Sequence, residues 1–180
     1  NANIEKFESH VIARVLHPQV DRRLMSRFGA CWAAGSLKYL CESDIKGVTC
    51  FETAGERGLM QGDFDSQWPG DFQASKGMIF PLFHVFRFML KYKTFKVVRS
   101  ISSHPLMVEL LTLTYGKEYK LIVINLTNEF HDVILPVQGK YNSRQLNSDS
   151  FAEASSDMNW IENSFNMTIY TGDRFHLPPF

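Results

Sequence analysis

A chain of 180 residues that is 44% hydrophobic has room for one full domain, or a small domain plus part of another, and is neither disordered nor collagen-like. Nineteen basic residues balance nineteen acidic ones, which leaves no whole-chain electrostatic footprint for nucleic acid and suits a neutral or weakly polar ligand better. The longest apolar run, residues 78–90, is broken by Pro81, His84 and Arg87 and is too short and too polar to cross a bilayer, so no membrane partner is expected.

The chain opens on Asn1-Ala2-Asn3-Ile4-Glu5-Lys6, with neither an initiator methionine nor a signal-peptide pattern, and reads as a piece of a longer protein. Residues 10–16 have strand character, and His17-Pro18-Gln19 ends the run because a residue before proline is pushed out of helical geometry. Asp21 is placed to cap a helix over residues 22–42, with Leu24, Phe28, Cys31, Trp32, Tyr39 and Leu40 as its apolar contacts. Gly29, Ala30, Ala33, Ala34, Gly35 and Ser36 give that helix a face of small residues on which a sheet can lie close. Residues 43–46 turn the chain back.

Residues 48–51, Val-Thr-Cys-Phe, then read as a short buried strand, and Glu52 stands where it stops. Gly55 and Gly58 permit tight or positive-φ turns that fold Glu52, Thr53, Glu56 and Arg57 over the strand's carboxyl end. In parallel α/β sheets ligands bind at that end. The order strand, helix, strand predicts a crossover unit joining parallel neighbours. Glu52 is the candidate catalytic carboxylate, with a structural pairing to Arg57 as the alternative, and Arg14 is a weaker candidate on the earlier strand.

Residues 61–77 form a long polar loop, and Phe64, Trp68 and Phe72 predict that it folds down onto the body of the protein. A helix over residues 80–92 follows, with Pro81 in its first turn and apolar residues nearly all round, as expected of a helix wedged between two layers. His84 on that helix reads as a hydrogen-bonded core residue. After Thr94 the texture changes to short strands at residues 94–100, 107–115, 120–126, 131–137, 141–146, 164–171 and 174–177, separated by glycine-containing turns. Seven such strands predict an antiparallel β-sandwich.

No His-x-His or HExxH spacing occurs, so no metal site is predicted, and no serine sits in a Gly-x-Ser-x-Gly elbow. No cofactor is implied. Cys31, Cys41 and Cys50 have no CxxC spacing and read as reduced core thiols, which favours a cytoplasmic setting. Asn125-Leu126-Thr127 and Asn166-Met167-Thr168 fit a glycosylation pattern too common to carry weight.

Four stretches together carry a resemblance: Asp21-Arg22-Arg23-Leu24-Met25-Ser26-Arg27-Phe28-Gly29-Ala30-Cys31-Trp32, Gly35-Ser36-Leu37-Lys38-Tyr39-Leu40, Val48-Thr49-Cys50-Phe51-Glu52-Thr53-Ala54-Gly55-Glu56-Arg57-Gly58 and Phe80-Pro81-Leu82-Phe83-His84-Val85. The chain resembles the C-terminal part of the D-apionate lactonase family, itself similar to glycoside hydrolases that carry a (β/α)8 barrel followed by a β-sandwich. The family's pattern after the strand is Glu-Thr-Thr-Gly-Trp-Arg-Gly, from which Ala54 and Glu56 depart. The resemblance implies an α+β chain in two parts. Residues 1–93 would be the last two βα units of the barrel and residues 94–180 the sandwich.

It also implies a carbohydrate or sugar-lactone ligand, bound by Thr53, Glu56, Arg57 and Trp68 around Glu52. Glu52 falls on the eighth strand, whereas the catalytic carboxylate pair of those hydrolases sits on the fourth and seventh. The function expected is that of a hydrolase fragment, inactive alone, which self-associates through the truncated barrel segment. A non-catalytic sandwich module that binds glycans or a protein is the alternative.

Overall fold

The computed structural model describes residues 16, 18–163 and 168–180. The strand expected at 10–16, with His10 and Arg14, lies almost wholly outside them, as do His17 and most of the 166–168 sequon. The described residues form a mixed α/β chain with several antiparallel sheets.

Helix α1 spans Arg27–Cys41, and its N-cap is Ser26 rather than the expected Asp21. Ser26 Oγ accepts from the Gly29 amide at 3.3 Å, satisfying one of the four amides a helix start leaves open. Asp21 is occupied elsewhere, because its carboxylate takes the Arg23 amide at 2.8 Å and the Arg23 guanidinium at 2.9 Å, holding a turn before the helix. Gly29 is required by that turn, since a Cβ there would lie 2.6 Å from the Leu24 carbonyl oxygen. The small face is used as expected further along, where Ala30, Ala33 and Ala34 are buried and the Leu126 side chain lies 3.5 Å from where a Cβ on Gly35 would stand.

Residues 48–51 do not form the expected buried strand: they carry no regular structure, and Val48 is 53% exposed. The first strand, β1 (Glu52–Ala54), starts at Glu52 and pairs in parallel with β2 (Gly58–Met60). Among the described residues no larger parallel sheet exists for residues 48–51 to join, so the neighbours that would bury them are not there. The loop after β2 does fold down. Gly77 donates to Gly62 O at 2.9 Å and closes its neck, as in an Ω-loop, while Phe72 is wholly buried against Phe80 with ring centroids 5.6 Å apart. Trp68 packs on the same cluster, whereas Phe64 stays exposed.

Helix α2 (Leu82–Lys91) follows directly, with Pro81 as N-cap. It is wedged at its N-terminal half only. Leu82 and His84 are buried, but Leu90 is 69% exposed, which corrects the expectation of apolar burial nearly all round. On one side Phe86 meets Phe51 at 5.6 Å. On the other, His84 Nε2 donates to Ala154 O at 2.8 Å beneath the Trp160 ring, and Arg87 reaches Glu162 and Asn159. His84 is thus the hydrogen-bonded core histidine that the sequence predicts.

The C-terminal half contains β3 (Lys96–Val98), β4 (Val108–Tyr115) and β5 (Glu118–Asn125) as an antiparallel meander, with Gly116 at φ +60° in the two-residue turn between β4 and β5. β6 (His131–Ser143) pairs with β7 (Thr168–Leu177) in a separate two-stranded sheet. Each of these long strands replaces two expected short ones. Gly139 and Gly172, read from sequence as turn residues, face each other beside a register shift within the ladder, where glycine accommodates a bulge. The short helix α3 (Phe151–Ala154) and a 3-10 turn at Trp160–Glu162 lie between β6 and β7. No helix among the described residues is long and apolar enough to cross a membrane.

α1 and β4 are joined by a buried ionic cluster. Lys38 Nζ lies 3.3 Å from Glu42 and 3.4 Å from Glu109, whose side chain is 1% exposed. Glu109 also accepts from the Tyr39 hydroxyl and, at 2.8 Å, from the Leu106 amide, while Glu42 accepts from the Ser100 amide at 3.0 Å. Burial raises the Glu109 carboxyl, but the Leu106 amide, the Tyr39 hydroxyl and the Lys38 ammonium together outweigh it and hold the group below the usual carboxylate value. The same hydrogen bond pushes Tyr39 up to about 12.

Glu109→Ala removes an acceptor from Tyr39 and Leu106 and one counterion from Lys38, so urea denaturation should show a loss of about 3–5 kcal/mol, the cost of breaking a buried pair. Glu109→Gln, which keeps one oxygen able to accept from both Tyr39 and Leu106 but loses the counterion of Lys38, should lose less. His84 supplies a pH dependence of known sign. Burial lowers its pKa below the ordinary 6.5, although the Ala154 carbonyl acts the other way, and Nδ1 has no partner among the described residues. The folded state therefore resists a proton that the unfolded chain accepts. Stability is full above pH 6.5 and falls as the pH drops from there through the folded-state value. Denaturation curves taken on either side of that window should show this fall, and His84→Gln should flatten it.

Candidate functional site

The site begins with the turn between β1 and β2. Gly55 takes φ +95°, a conformation that only glycine adopts at no steric cost, and Gly58 donates to Gly55 O at 2.9 Å. Gly58 is fixed by space rather than by φ, because a Cβ there would lie 2.7 Å from Ala54 backbone atoms. Both glycines anticipated for this turn are therefore needed, each for a different reason. Further bonds from the Glu52 amide to Arg57 O at 3.0 Å and from the Gly55 amide to Met60 O at 2.9 Å close the loop.

Those bonds bring Glu52 and Arg57 together. Arg57 Nη2 lies 2.5 Å from Glu52 Oε1, and Nη1 donates to Gln19 Oε1 at 3.0 Å. The guanidinium thus bridges a carboxylate and an amide from two separate parts of the chain. Both charged side chains are open to solvent, at 54% and 46% exposure, so the pair is accessible and contributes little to stability. Thr53 is exposed on β1, and Glu56 is half-exposed in the turn.

Of the five residues singled out from sequence, the turn gathers Glu52, Thr53, Glu56 and Arg57. Trp68 sits apart from them on the Ω-loop, packed against Phe72 and its cluster. Glu52 also stands at the start of a strand and not at the end of one, because residues 48–51 fail to pair. Gln19 was missed, since its only signal was its place after Pro18. The Lys38, Glu42 and Glu109 cluster was missed as well, although Lys38 and Glu42 share a helix face at i, i+4.

Residues 6–94 match the family described as D-apionate lactonase, TIM barrel domain. This stretch is D-apionate lactonase-like. Curated proteins and solved structures give no match to the chain. The lactonase-like stretch contains α1, the β1–β2 turn, the Ω-loop and α2, and it ends just before the meander. Its buried cluster is formed largely from its own residues, among them Leu24, Ala30, Phe72, Phe80 and Leu82.

Among the described residues no group of three or more His, Cys, Asp or Glu is placed to hold a metal ion. The three cysteines are free thiols. Cys31 and Cys41 are partly buried, and burial raises Cys31 to about 11, whereas Cys50 is exposed and so departs from the expected core position. A shallow apolar depression of about 260 Å³ runs beside the site, bordered by Val48, Thr49, Cys50, Phe51, Leu59 and Phe86. A second, polar one of about 290 Å³ is lined by Arg144, Asn147, Glu153 and Trp160 among others.

Glu52→Gln should change unfolding stability by no more than about 1 kcal/mol, as for an exposed ion pair. Gly58→Ala should lower the melting temperature clearly, because the new methyl group meets backbone that cannot swing aside. Thermal unfolding of the two variants side by side checks the contrast.

Proposed function

We propose that this chain is the C-terminal portion of a carbohydrate-active hydrolase that opens sugar lactones or cleaves glycosides. In this reading residues 1–93 supply the last two βα units of a (β/α)8 barrel, and residues 94–180 a β-sandwich. The match of residues 6–94 to the lactonase barrel domain carries the reading. Such a barrel takes about 250 residues, and its active site draws on the ends of several strands. Two units do not assemble one, so the chain alone is inactive.

The chemistry follows from the Glu52–Arg57 pair. For a lactone, water adds to the ring carbonyl, the ring C–O bond breaks, and a hydroxy acid leaves. The Glu52 carboxylate takes the proton from the attacking water and returns it to the ring oxygen as the C–O bond breaks, and the Arg57 guanidinium stabilises the carbonyl oxygen as it gains negative charge. Gln19 holds Arg57 in place. Thr53, exposed on β1, and Glu56 in the turn complete the substrate set by meeting sugar hydroxyls. The polar depression at Arg144, Asn147, Glu153 and Trp160 favours a second reading, a non-catalytic module that binds glycans.

One assay separates the two. Acid release from an aldonolactone is followed by pH-stat with the full-length product of the source reading frame and with this chain. We expect hydrolysis by the full-length product only, falling about 100-fold in Glu52→Gln, within the range for loss of a general base. Full-length protein that releases no acid overturns the lactonase reading. Sugar binding by this chain that survives Glu52→Gln and is lost in Arg144→Ala establishes the module in its place.

A further inference from the structure

We infer that residues 46–52 are the contact edge of a homodimer, in which two copies of this chain pair as antiparallel strands about a two-fold axis at Thr49. The inference stands on the edge itself and not on the lactonase reading. Residues 45–51 make no backbone hydrogen bond to any described residue, yet they lead straight into β1. Residues 45–50 are all exposed. Open strand edges in folded proteins are usually guarded by charge, proline or a bulge, and residues 47–51 contain no charged residue and no proline.

Backbone alternation then selects the outward groups. The Glu52 amide turns inward to Arg57 O, so in a strand continued back from Glu52 the N–H and C=O groups of Phe51 and Thr49 turn outward. Two Thr49 residues facing each other exchange both hydrogen bonds. Charge fixes the register. With Thr49 on the axis, Lys46 of one copy, which meets the exposed Asp44 of its own chain at 2.7 Å, falls opposite Glu52 of the other beside its Arg57 partner, and the juxtaposition occurs twice. Val48 of each copy falls opposite Cys50 of its partner, at the rim of the apolar depression bordered by Leu59 and Phe86, where apolar side chains of the second copy are removed from water.

Native mass spectrometry and sedimentation velocity at micromolar concentration should give twice the chain mass. Val48→Lys, which places a charge on the edge without touching the core, should give a folded monomer whose melting temperature no longer rises with protein concentration. Lys46→Glu should weaken the dimer about tenfold, equivalent to about 1.4 kcal/mol.

The register is read by cross-linking. Directly opposed residues of a hydrogen-bonded antiparallel pair have Cα atoms about 5.5 Å apart, within disulfide reach. The double variant Thr49→Cys, Cys50→Ser should therefore form a covalent dimer when copper phenanthroline takes two electrons, and solvent two protons, from the facing thiols. Native Cys50, offset diagonally from its mate, should cross-link far more slowly. A monomer at micromolar concentration, a complex with a different polypeptide, or a dimer that Val48→Lys leaves intact overturns the inference. Faster cross-linking through native Cys50 overturns the register.

Discussion

Lys38 holds two halves of this protein in one arrangement. Its ammonium stands between Glu42 on its own helix and Glu109 on β4, and the two carboxylates anchor the Ser100 and Leu106 amides. Buried charges are costly unless paired and hydrogen-bonded, so this cluster is satisfied only when α1 lies against the meander at one register. A small shift of the helix would leave a carboxylate buried without its donors. Hydrophobic contact at Ala34 or Gly35 has no such directionality, so the ionic cluster is what makes the docking specific.

The Leu106 backbone illustrates the consequence. It is a non-glycine residue at φ +65° and is largely exposed, a combination its own side chain does nothing to stabilise. The conformation is held because the Leu106 amide is bound to a carboxylate that is itself bound to Lys38 and Tyr39. The cluster therefore reaches beyond the helix–sheet contact to the loop between β3 and β4. Since α1 belongs to the lactonase-like stretch and β4 lies beyond it, the same contacts tie that stretch to the C-terminal sheets.

The β1–β2 turn is built on a different principle. Its form depends on two glycines and on short backbone bonds, all local in sequence, and it holds its charged side chains out in water. Such a turn can be remodelled at Thr53, Glu56 or Arg57 without disturbing the buried cluster around Phe72 and Phe80. Local construction and solvent access suit a recognition element, whereas the Lys38 cluster suits a scaffold.

Sequence by itself determined what depends on local geometry. The glycine turn, the helices near 27–41 and 82–91, the buried His84, the folded-down loop and the positions of β4 and β5 were all legible, because periodicity and turn chemistry act within a few residues. The lactonase likeness was legible too, from the four stretches between Asp21 and Val85, which lie inside the matched residues 6–94.

Tertiary structure decided whatever needs a distant partner. Val48-Thr49-Cys50-Phe51 has strand composition, but a strand exists only where a neighbour accepts its hydrogen bonds, and none of the described residues does so. Gly139 and Gly172 have turn composition, yet they pair with each other inside the ladder, next to its register shift, because each strand continues past the glycine. Gln19 and Glu109 gained their roles from groups 38 and 71 residues away, Arg57 and Lys38 respectively, at separations where no pattern in the chain announces the meeting.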